Sequence, residues 1–133
     1  MTEVSSPPDA SNQIVVVVED EPLIREFEIV LWEDLGYRTV DFSTGETALK
    51  YLEQNAGEVF LVFSDIKMPG SVDGLVLARA IATRWPWIRV VLVSGHADPE
   101  DLALPREMRF IRKPFSPADV IGTISEWTSS RLS

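Results

Sequence analysis

The sequence predicts an α/β domain in which helices flank a doubly wound parallel sheet. Short runs such as IVVVV, VFLVF and VVLV have the length of strands and are apolar at every position, as in parallel strands buried on both faces. These runs alternate with segments in which apolar residues recur at helical spacing, which predicts right-handed crossovers. The length of 133 residues suits one compact domain.

Five strands are predicted along this pattern. They are residues 14–18, 37–42, 59–64, 89–94 and 109–112. A segment rich in Ser, Pro and Asp precedes the first strand and predicts a loose tail at residues 1–12. The domain is therefore expected to occupy residues 13–129, with a second short tail at 130–133.

The first two helices have recognisable beginnings. Pro22 suits the first turn of the first helix, and Gly36 is a typical C-terminal stop. Ser43 and Glu46 have the spacing of a capping box at the start of the second helix. The inward face of the first helix is expected to consist of Ile24, Phe27, Leu31 and Leu35.

The remaining helices differ in strength. Asp73 is expected to cap the third helix, which Pro86 follows, and Ser116, Pro117 and Asp119 are typical of the start of the last. The inward side chains are expected to be Leu75, Ala78, Ile81 and Trp85 in the third helix and Val120, Ile121, Ile124 and Trp127 in the last. Between the last two strands, closely spaced prolines predict only a short or irregular fourth helix.

Composition excludes several classes of partner. Twenty-one acidic residues against twelve Lys and Arg give a net charge of −9, which repels nucleic acid and anionic membrane. No apolar run approaches the roughly 20 residues that span a bilayer. The absence of cysteine fits a reducing cytoplasm. We therefore expect a cytoplasmic protein whose partners are a cation and other proteins, with no nucleic acid and no membrane.

Charged and hydroxyl side chains follow four of the predicted strands. Glu19 and Asp20 follow the first strand, Asp65 the third, Ser94 the fourth and Lys113 the fifth. In a doubly wound sheet the ligand site lies beyond the carboxyl ends of the strands, where the winding reverses. These side chains are therefore expected to lie close together.

Clustered carboxylates need a compensating charge. Each pair repels by about 4 kcal/mol at 4 Å for an effective dielectric near 20, and oxygen ligands favour Mg²⁺. We interpret Asp20 and Asp65 as site residues, and Glu21 and Asp73 as ordinary loop or capping residues. Lys113 is either a solvated lysine or a point charge for a bound phosphoryl group. Its bond to Pro114 is a candidate cis peptide.

Four motifs occur in order: VVVVEDEP, VFSDIKMPGSVDG, VLVSGHAD and FIRKPF. Together they resemble the bacterial response-regulator receiver family over residues 13–129. The resemblance implies a flavodoxin-like (βα)5 fold with strand order 2-1-3-4-5. It also implies a Mg²⁺ site formed by Asp20 directly, Glu19 through water, Asp65 and the backbone carbonyl of Lys67.

The same resemblance implies that Asp65 is the phospho-acceptor, that Lys113 contacts the phosphoryl group and that Ser94 is the switch hydroxyl. Three features depart from the common pattern. Glu19 replaces the usual Asp, the loop MPGSVDG is one residue longer, and Phe110 replaces Tyr, so that ring rotation at Phe110 is the switch motion left. Lys67 and His96 are either solvated loop residues or groups that tune the lifetime of the phosphoryl group.

The predicted function is a phosphorylation-dependent switch without a DNA-binding output domain of its own. Its expected partners are a histidine kinase or histidine phosphotransfer protein and a downstream protein target. It is expected to be a monomer or weak homodimer and to catalyse only its own Mg²⁺-dependent phosphorylation and dephosphorylation.

Three alternatives have less support. An aspartyl-phosphate phosphohydrolase would carry a nucleophilic Asp and a second Asp two positions on, directly after the first strand, where this chain has Glu19, Asp20 and Glu21. A flavodoxin-like nucleotide binder needs Gly and hydroxyl residues there to cradle phosphate. A receiver cut from a longer regulator would differ mainly in context.

Overall fold

The computed structural model describes residues 13–96 and 108–132, with side chains to residue 128. In this part of the chain, one five-stranded parallel sheet is flanked by four helices. The strands are β1 (Ile14–Val18), β2 (Arg38–Phe42), β3 (Val59–Asp65), β4 (Arg89–Ser94) and β5 (Met108–Arg112). The helices are α1 (Pro22–Asp34), α2 (Gly45–Asn55), α3 (Gly74–Arg84) and α4 (Pro117–Leu132), and a 3-10 turn, Ala56–Glu58, precedes β3.

The strand order is β2-β1-β3-β4-β5, which confirms the predicted doubly wound sheet. The winding reverses between β1 and β3, which pair in parallel with Val18 opposite Ser64. Asp65 lies opposite Val93 on β4, and Ser94 lies opposite Arg112 on β5. The carboxyl ends of these strands therefore meet at one edge of the sheet, as the ligand-site rule requires.

Two apolar layers enclose the sheet. Val16 and Val18 belong to the layer that α2 and α3 cover, whereas Val15 and Val17 belong to the layer under α1 and α4. All five side chains of β1 are buried. Burial on both faces explains why the strand is apolar at every position and why its limits were predictable.

The predicted inward face of α1 is wrong at its N-terminal half. Ile24 is 36% exposed and Phe27 is 48% exposed. The buried side chains of α1 are Glu28, Leu31 and Trp32. Helix α1 is thus rotated about its axis relative to the predicted orientation, and Trp32 packs against Phe63 of β3 with ring centroids 5.4 Å apart. The helix ends as predicted, because Gly36 has a φ of 98° that side-chain-bearing residues rarely adopt.

The predicted capping box at the start of α2 is also wrong. The N-cap is Thr44, whose Oγ1 accepts a hydrogen bond from the backbone N–H of Thr47 at 3.1 Å. Glu46 does not reach back to Ser43. Its carboxylate accepts hydrogen bonds from Ser71, 25 residues further along the chain.

The other two helix starts agree with the sequence. Asp73 caps α3 by accepting a hydrogen bond from the N–H of Val76 at 2.9 Å. Ser116 and Asp119 bond reciprocally at the start of α4, at 2.8 and 3.2 Å. Within α4 the prediction is wrong for Ile121, which is 48% exposed.

Some predictions concern residues 1–12 and 97–107, which lie outside the described residues. The tail at 1–12 and the short fourth helix are among them. The last helix extends to Leu132, beyond the predicted domain boundary at 129. Among the described residues, no helix combines the length and the apolar character that crossing a membrane requires.

Candidate functional site

The turn after β1 holds Glu19 in a buried position. Its side chain is 1% exposed, and its Oε2 accepts a hydrogen bond from the N–H of Glu21 at 3.1 Å. Its own N–H donates to the carbonyl of Phe42 at 3.0 Å. Arg25 donates to the Glu19 carbonyl at 2.8 Å and pairs with Asp41 at 3.2 Å. The turn is thus fastened to both α1 and β2.

Asp65 is the last residue of β3 and is equally well fixed. The hydroxyl of Ser64 donates to the Asp65 carbonyl at 2.8 Å, and the N–H of Ile66 donates to the carbonyl of Val93 at 3.0 Å. Gly74, the first residue of α3, packs so closely that a Cβ there would lie 2.2 Å from the Asp65 carbonyl oxygen. Only glycine fits at this contact.

The three acids converge. Glu19, Asp20 and Asp65 each present a carboxylate oxygen, and these oxygens all lie within 4.8 Å of one another. Lys113, directly after β5, places its Nζ 3.2 Å from Asp65 Oδ1 and 3.5 Å from Glu19 Oε1. The structure therefore brings together the four charged side chains that the sequence places at the carboxyl ends of the strands.

The electrostatics reflect burial and crowding. Burial raises the pKa of Asp65, and Lys113 opposes the rise while Asp20 adds to it. Burial also raises the pKa of Glu19; the hydrogen bond from Glu21 opposes the rise, and repulsion from Asp65 adds to it. Burial alone lowers the pKa of Lys113, but the attraction of Asp65 and Glu19 outweighs it, so the pKa is raised. The site therefore favours an added positive charge.

The donor set fits a hard divalent cation. All three acidic groups offer oxygen, which suits Mg²⁺. Glu19 Oε1 is buried and has no hydrogen-bond partner in the described part of the chain, apart from the ion pair with Lys113. A buried carboxylate oxygen without a hydrogen bond is costly unless a cation or water satisfies it.

The other predicted site residues lie around this cluster. Ser94 is buried; its Oγ accepts a hydrogen bond from the N–H of His96 at 3.1 Å, and its carbonyl accepts one from the N–H of Lys113 at 2.9 Å. Lys67 and His96 are exposed, and Phe110 is half-buried against the core. The Lys113–Pro114 bond is cis, in agreement with the sequence-based expectation.

Sequence reasoning missed Glu28, a buried acid on α1 that is 2% exposed. Burial, reinforced by repulsion from Glu19, raises its pKa from 4.5 to about 8. No sequence signal marks it, because a Glu in a helix is exposed in most proteins. The structure thus adds Glu28 to Asp65 and Glu19 as a third acid whose charge acts on Lys113.

An open apolar groove of about 400 Å³ adjoins the acidic cluster. It is lined by Ile24, Phe27, Lys113, Pro114 and Phe115. Leu23, which is 81% exposed, and Val30, which is 52% exposed, extend the apolar surface along α1. Because Lys113 belongs to both the groove and the acidic cluster, whatever covers the groove lies next to Asp65.

The family model of the response regulator receiver domain matches residues 15–125. The fold and the cluster of three acids with Lys113 agree with this match. The chain belongs to this family. Sensor kinase CckA of Brucella abortus is 33% identical over 120 residues, which is 88% of this chain and 13% of that protein. Response regulator receiver protein CpdR of the same organism is 28% identical over 116 residues, 84% of this chain and 93% of that protein.

Solved structures agree as well. A response regulator receiver protein from Sinorhizobium medicae is similar with a TM-score of 0.78 and 26% identity, covering 89% of this chain and 95% of that one. The chain thus spans a small part of the sensor kinase and nearly all of the receiver protein CpdR.

Proposed function

We propose that this receiver domain is a signalling switch that accepts a phosphoryl group on Asp65 from a phosphorylated histidine. The observation that carries the proposal is the convergence of three carboxylates within 4.8 Å, with Lys113 Nζ 3.2 Å from Asp65. The repulsion among three carboxylates this close costs free energy, which a bound cation and Lys113 would offset.

The chemistry assigned to Asp65 is nucleophilic. An Asp65 carboxylate oxygen attacks phosphorus, an O–P bond forms as the bond to the donor nitrogen breaks, and the histidine leaves with its electron pair. Mg²⁺ held by Glu19, Asp20, Asp65 and the Lys67 carbonyl would supply charge stabilisation on the phosphoryl oxygens. Lys113 adds a second positive charge on the side where it already contacts Asp65.

Signalling is proposed to follow from the new negative charge. The Ser94 hydroxyl, now accepting a hydrogen bond from His96, would turn to donate to a phosphoryl oxygen. Because the Ser94 carbonyl accepts from the Lys113 N–H, movement at Ser94 reaches β5, where Phe110 lies half-buried. This coupling would alter the surface offered to a downstream protein.

The donor is proposed to dock on the apolar groove beside α1. The occupant must present its phosphohistidine to Asp65, and the groove is lined by Lys113, which contacts Asp65. An amphipathic helix of a histidine kinase or histidine phosphotransfer domain suits a surface formed by Leu23, Phe27 and Phe115. The net charge of −9 supports protein partners over DNA.

Intact-mass measurement tests the chemistry. With Mg²⁺ and acetyl phosphate, the chain is expected to gain the mass of one phosphoryl group, and Asp65→Asn is expected to gain none. Omission of Mg²⁺ or the substitution Asp20→Asn is expected to slow the gain. Phosphorylation that persists in Asp65→Asn would contradict the assignment of the acceptor.

Docking is tested separately by phosphotransfer from a phosphorylated histidine phosphotransfer domain. Phe27→Ala is expected to slow this transfer about tenfold, because truncation of an aromatic anchor weakens docking, while labelling by acetyl phosphate stays unchanged. Val76→Ala, at an exposed apolar position on α3, is the matched control. Equal slowing with both phosphodonors would show that the groove is not the docking site.

Lys67 and His96 are proposed to tune the phosphoryl lifetime, since both are exposed and follow Asp65 and Ser94 by two residues. Decay of the phosphorylated chain in Lys67→Ala and in His96→Ala measures this. Decay at the rate of the unsubstituted chain in both variants would remove the proposal.

A further inference from the structure

The loop that follows Asp65 is hydrogen-bonded to a side chain of α2. This acceptor loop, residues 66–73, contains Lys67 and is one residue longer than the common receiver pattern. Glu46, in the first turn of α2, accepts hydrogen bonds from the N–H of Ser71 at 2.8 Å and from its Oγ at 3.0 Å. Both bonds end on the same oxygen, Oε2. The loop thus has a charged anchor 25 residues away in sequence.

Close packing shows that the anchor is built into the fold. Gly70 has a φ of 100°, and a Cβ there would lie 2.5 Å from Glu46 Oε2. A Cβ on Gly45 would lie 2.0 Å from the carbonyl oxygen of Val72. Two glycines therefore allow α2 and the acceptor loop to approach closely, and larger residues at either position would separate them. Hydrogen bonds from its own N–H and from Ser71 lower the pKa of Glu46, so the anchor is ionised at neutral pH.

Core packing and local hydrogen bonds also attach the loop: Met68 is buried in the core that α2 and α3 cover, and Val72 packs against that core. The N–H of Gly74 donates to the carbonyl of Ile66 at 2.8 Å, which closes the base of the loop. Asp73 bonds to Val76 and belongs to α3. Ser71 is exposed, and both its N–H and its hydroxyl donate to Glu46. Glu46 therefore supplies the charged hydrogen-bond acceptor for the exposed part of the loop at Ser71, beyond the buried Met68.

We propose that Glu46 is a positioning residue that holds the acceptor loop, and with it the backbone carbonyl of Lys67, in the geometry that binds the cation beside Asp65. This inference rests on the proposed function. The inference goes beyond that function because it links Glu46, at the start of α2, to the cation affinity of the site through two hydrogen bonds. A loop released at Ser71 samples more conformations, and ordering it again on cation binding costs affinity.

Two measurements on Glu46→Ala test the proposal. Hydrogen exchange of the loop amides without Mg²⁺ is expected to be about threefold to tenfold faster than in the unsubstituted chain, since two surface hydrogen bonds are lost. Titration calorimetry with Mg²⁺ alone is expected to give a Kd higher by about the same factor. Glu53→Ala is the matched control: Glu53 lies on α2 like Glu46 and forms an exposed ion pair with Arg84 of α3, and its loss should change neither quantity.

The outcomes are distinct. Faster exchange with an unchanged Kd would make the anchor purely structural and overturn the proposal, as would no change in either measurement. If Glu46→Ala does not fold, Ser71→Ala removes one of the two hydrogen bonds and should shift both quantities in the same direction by less. An unsubstituted chain that binds no Mg²⁺ would overturn the proposed function and this inference together, and that result precedes any comparison of variants.

Discussion

Helices α1 and α3 both begin beside the acidic cluster, on opposite faces of the sheet, but they differ in almost every local feature. Asp73 caps α3, and its buried residues are Gly74, Leu77, Ala78 and Ile81. Helix α1 has no side-chain cap, buries Glu28 and exposes Leu23 and Phe27. Helix α3 has the side-chain cap and buried apolar face of an ordinary amphipathic helix, whereas α1 lacks a side-chain cap and buries an acid. Such departures are typical of functional surfaces.

The largest expected effect is on stability at the core face of α3. Leu77 is fully buried, so Leu77→Ala is expected to lower the free energy of unfolding by roughly 3 to 5 kcal/mol. Leu23→Ala on α1 is expected to change it by less than about 0.5 kcal/mol, because Leu23 is already in solvent. Urea denaturation measures both. A comparable loss of unfolding free energy in the two variants would mean that Leu23 is packed against the protein and not exposed to solvent.

The buried acid of α1 makes stability depend on pH. An unfolded Glu loses its proton near pH 4.5, whereas the pKa of Glu28 in the folded chain is about 8. Between these values the folded state binds more protons, so stability is present at low pH and declines as pH rises through 8. Glu19 and Asp65, whose pKa values are also raised, act in the same direction.

Glu28→Gln removes the ionisation and keeps the size of the side chain. In Mg²⁺-free buffer at pH 9, it is expected to raise the free energy of unfolding by roughly 2 to 3 kcal/mol relative to the unsubstituted chain. At pH 5 the gain is expected to fall below about 1 kcal/mol, because most of the difference in protonation arises between pH 5 and 8. Glu26→Gln, at an exposed position of α1, is the control and should leave the pH profile as it is. A profile unchanged by Glu28→Gln would show that Glu28 is ionised at little cost.

The helix starts provide a smaller contrast. Asp73→Ala is expected to lower the free energy of unfolding by about 1 kcal/mol, because it removes a side-chain cap. Glu21→Ala is expected to have almost no effect, since Glu21 precedes α1 without making a side-chain hydrogen bond to the helix. Thermal or urea unfolding of the two variants compares them directly. Equal losses would contradict the difference between the two helix starts.

The same contrast explains how much of the fold could be predicted. Strands β1 and β4 were predicted to the residue, because apolar side chains on both faces define their limits. Asp73 was identified as a cap because capping depends on a residue three positions away. In α1 the apolar pattern was misleading: the exposed Ile24 and Phe27 have the spacing of a buried face, and no local rule predicts a buried Glu28.

The candidate site was predictable to a similar extent. Glu19, Asp20, Asp65 and Lys113 follow strands whose ends meet, so sheet topology alone brings them together. The contact between Glu46 and Ser71 was not predictable, because it joins residues far apart in sequence and competes with a plausible local capping box at Ser43. Long-range polar contacts of this kind have no periodicity that a sequence can reveal.

Titration calorimetry with Mg²⁺ on the unsubstituted chain and on Asp20→Asn tests most directly whether the converging acids hold a divalent cation. The expected result is one ion bound per chain and a Kd at least about tenfold higher in Asp20→Asn, since a direct charged ligand is lost. No binding by the unsubstituted chain, or the same Kd in Asp20→Asn, would contradict it.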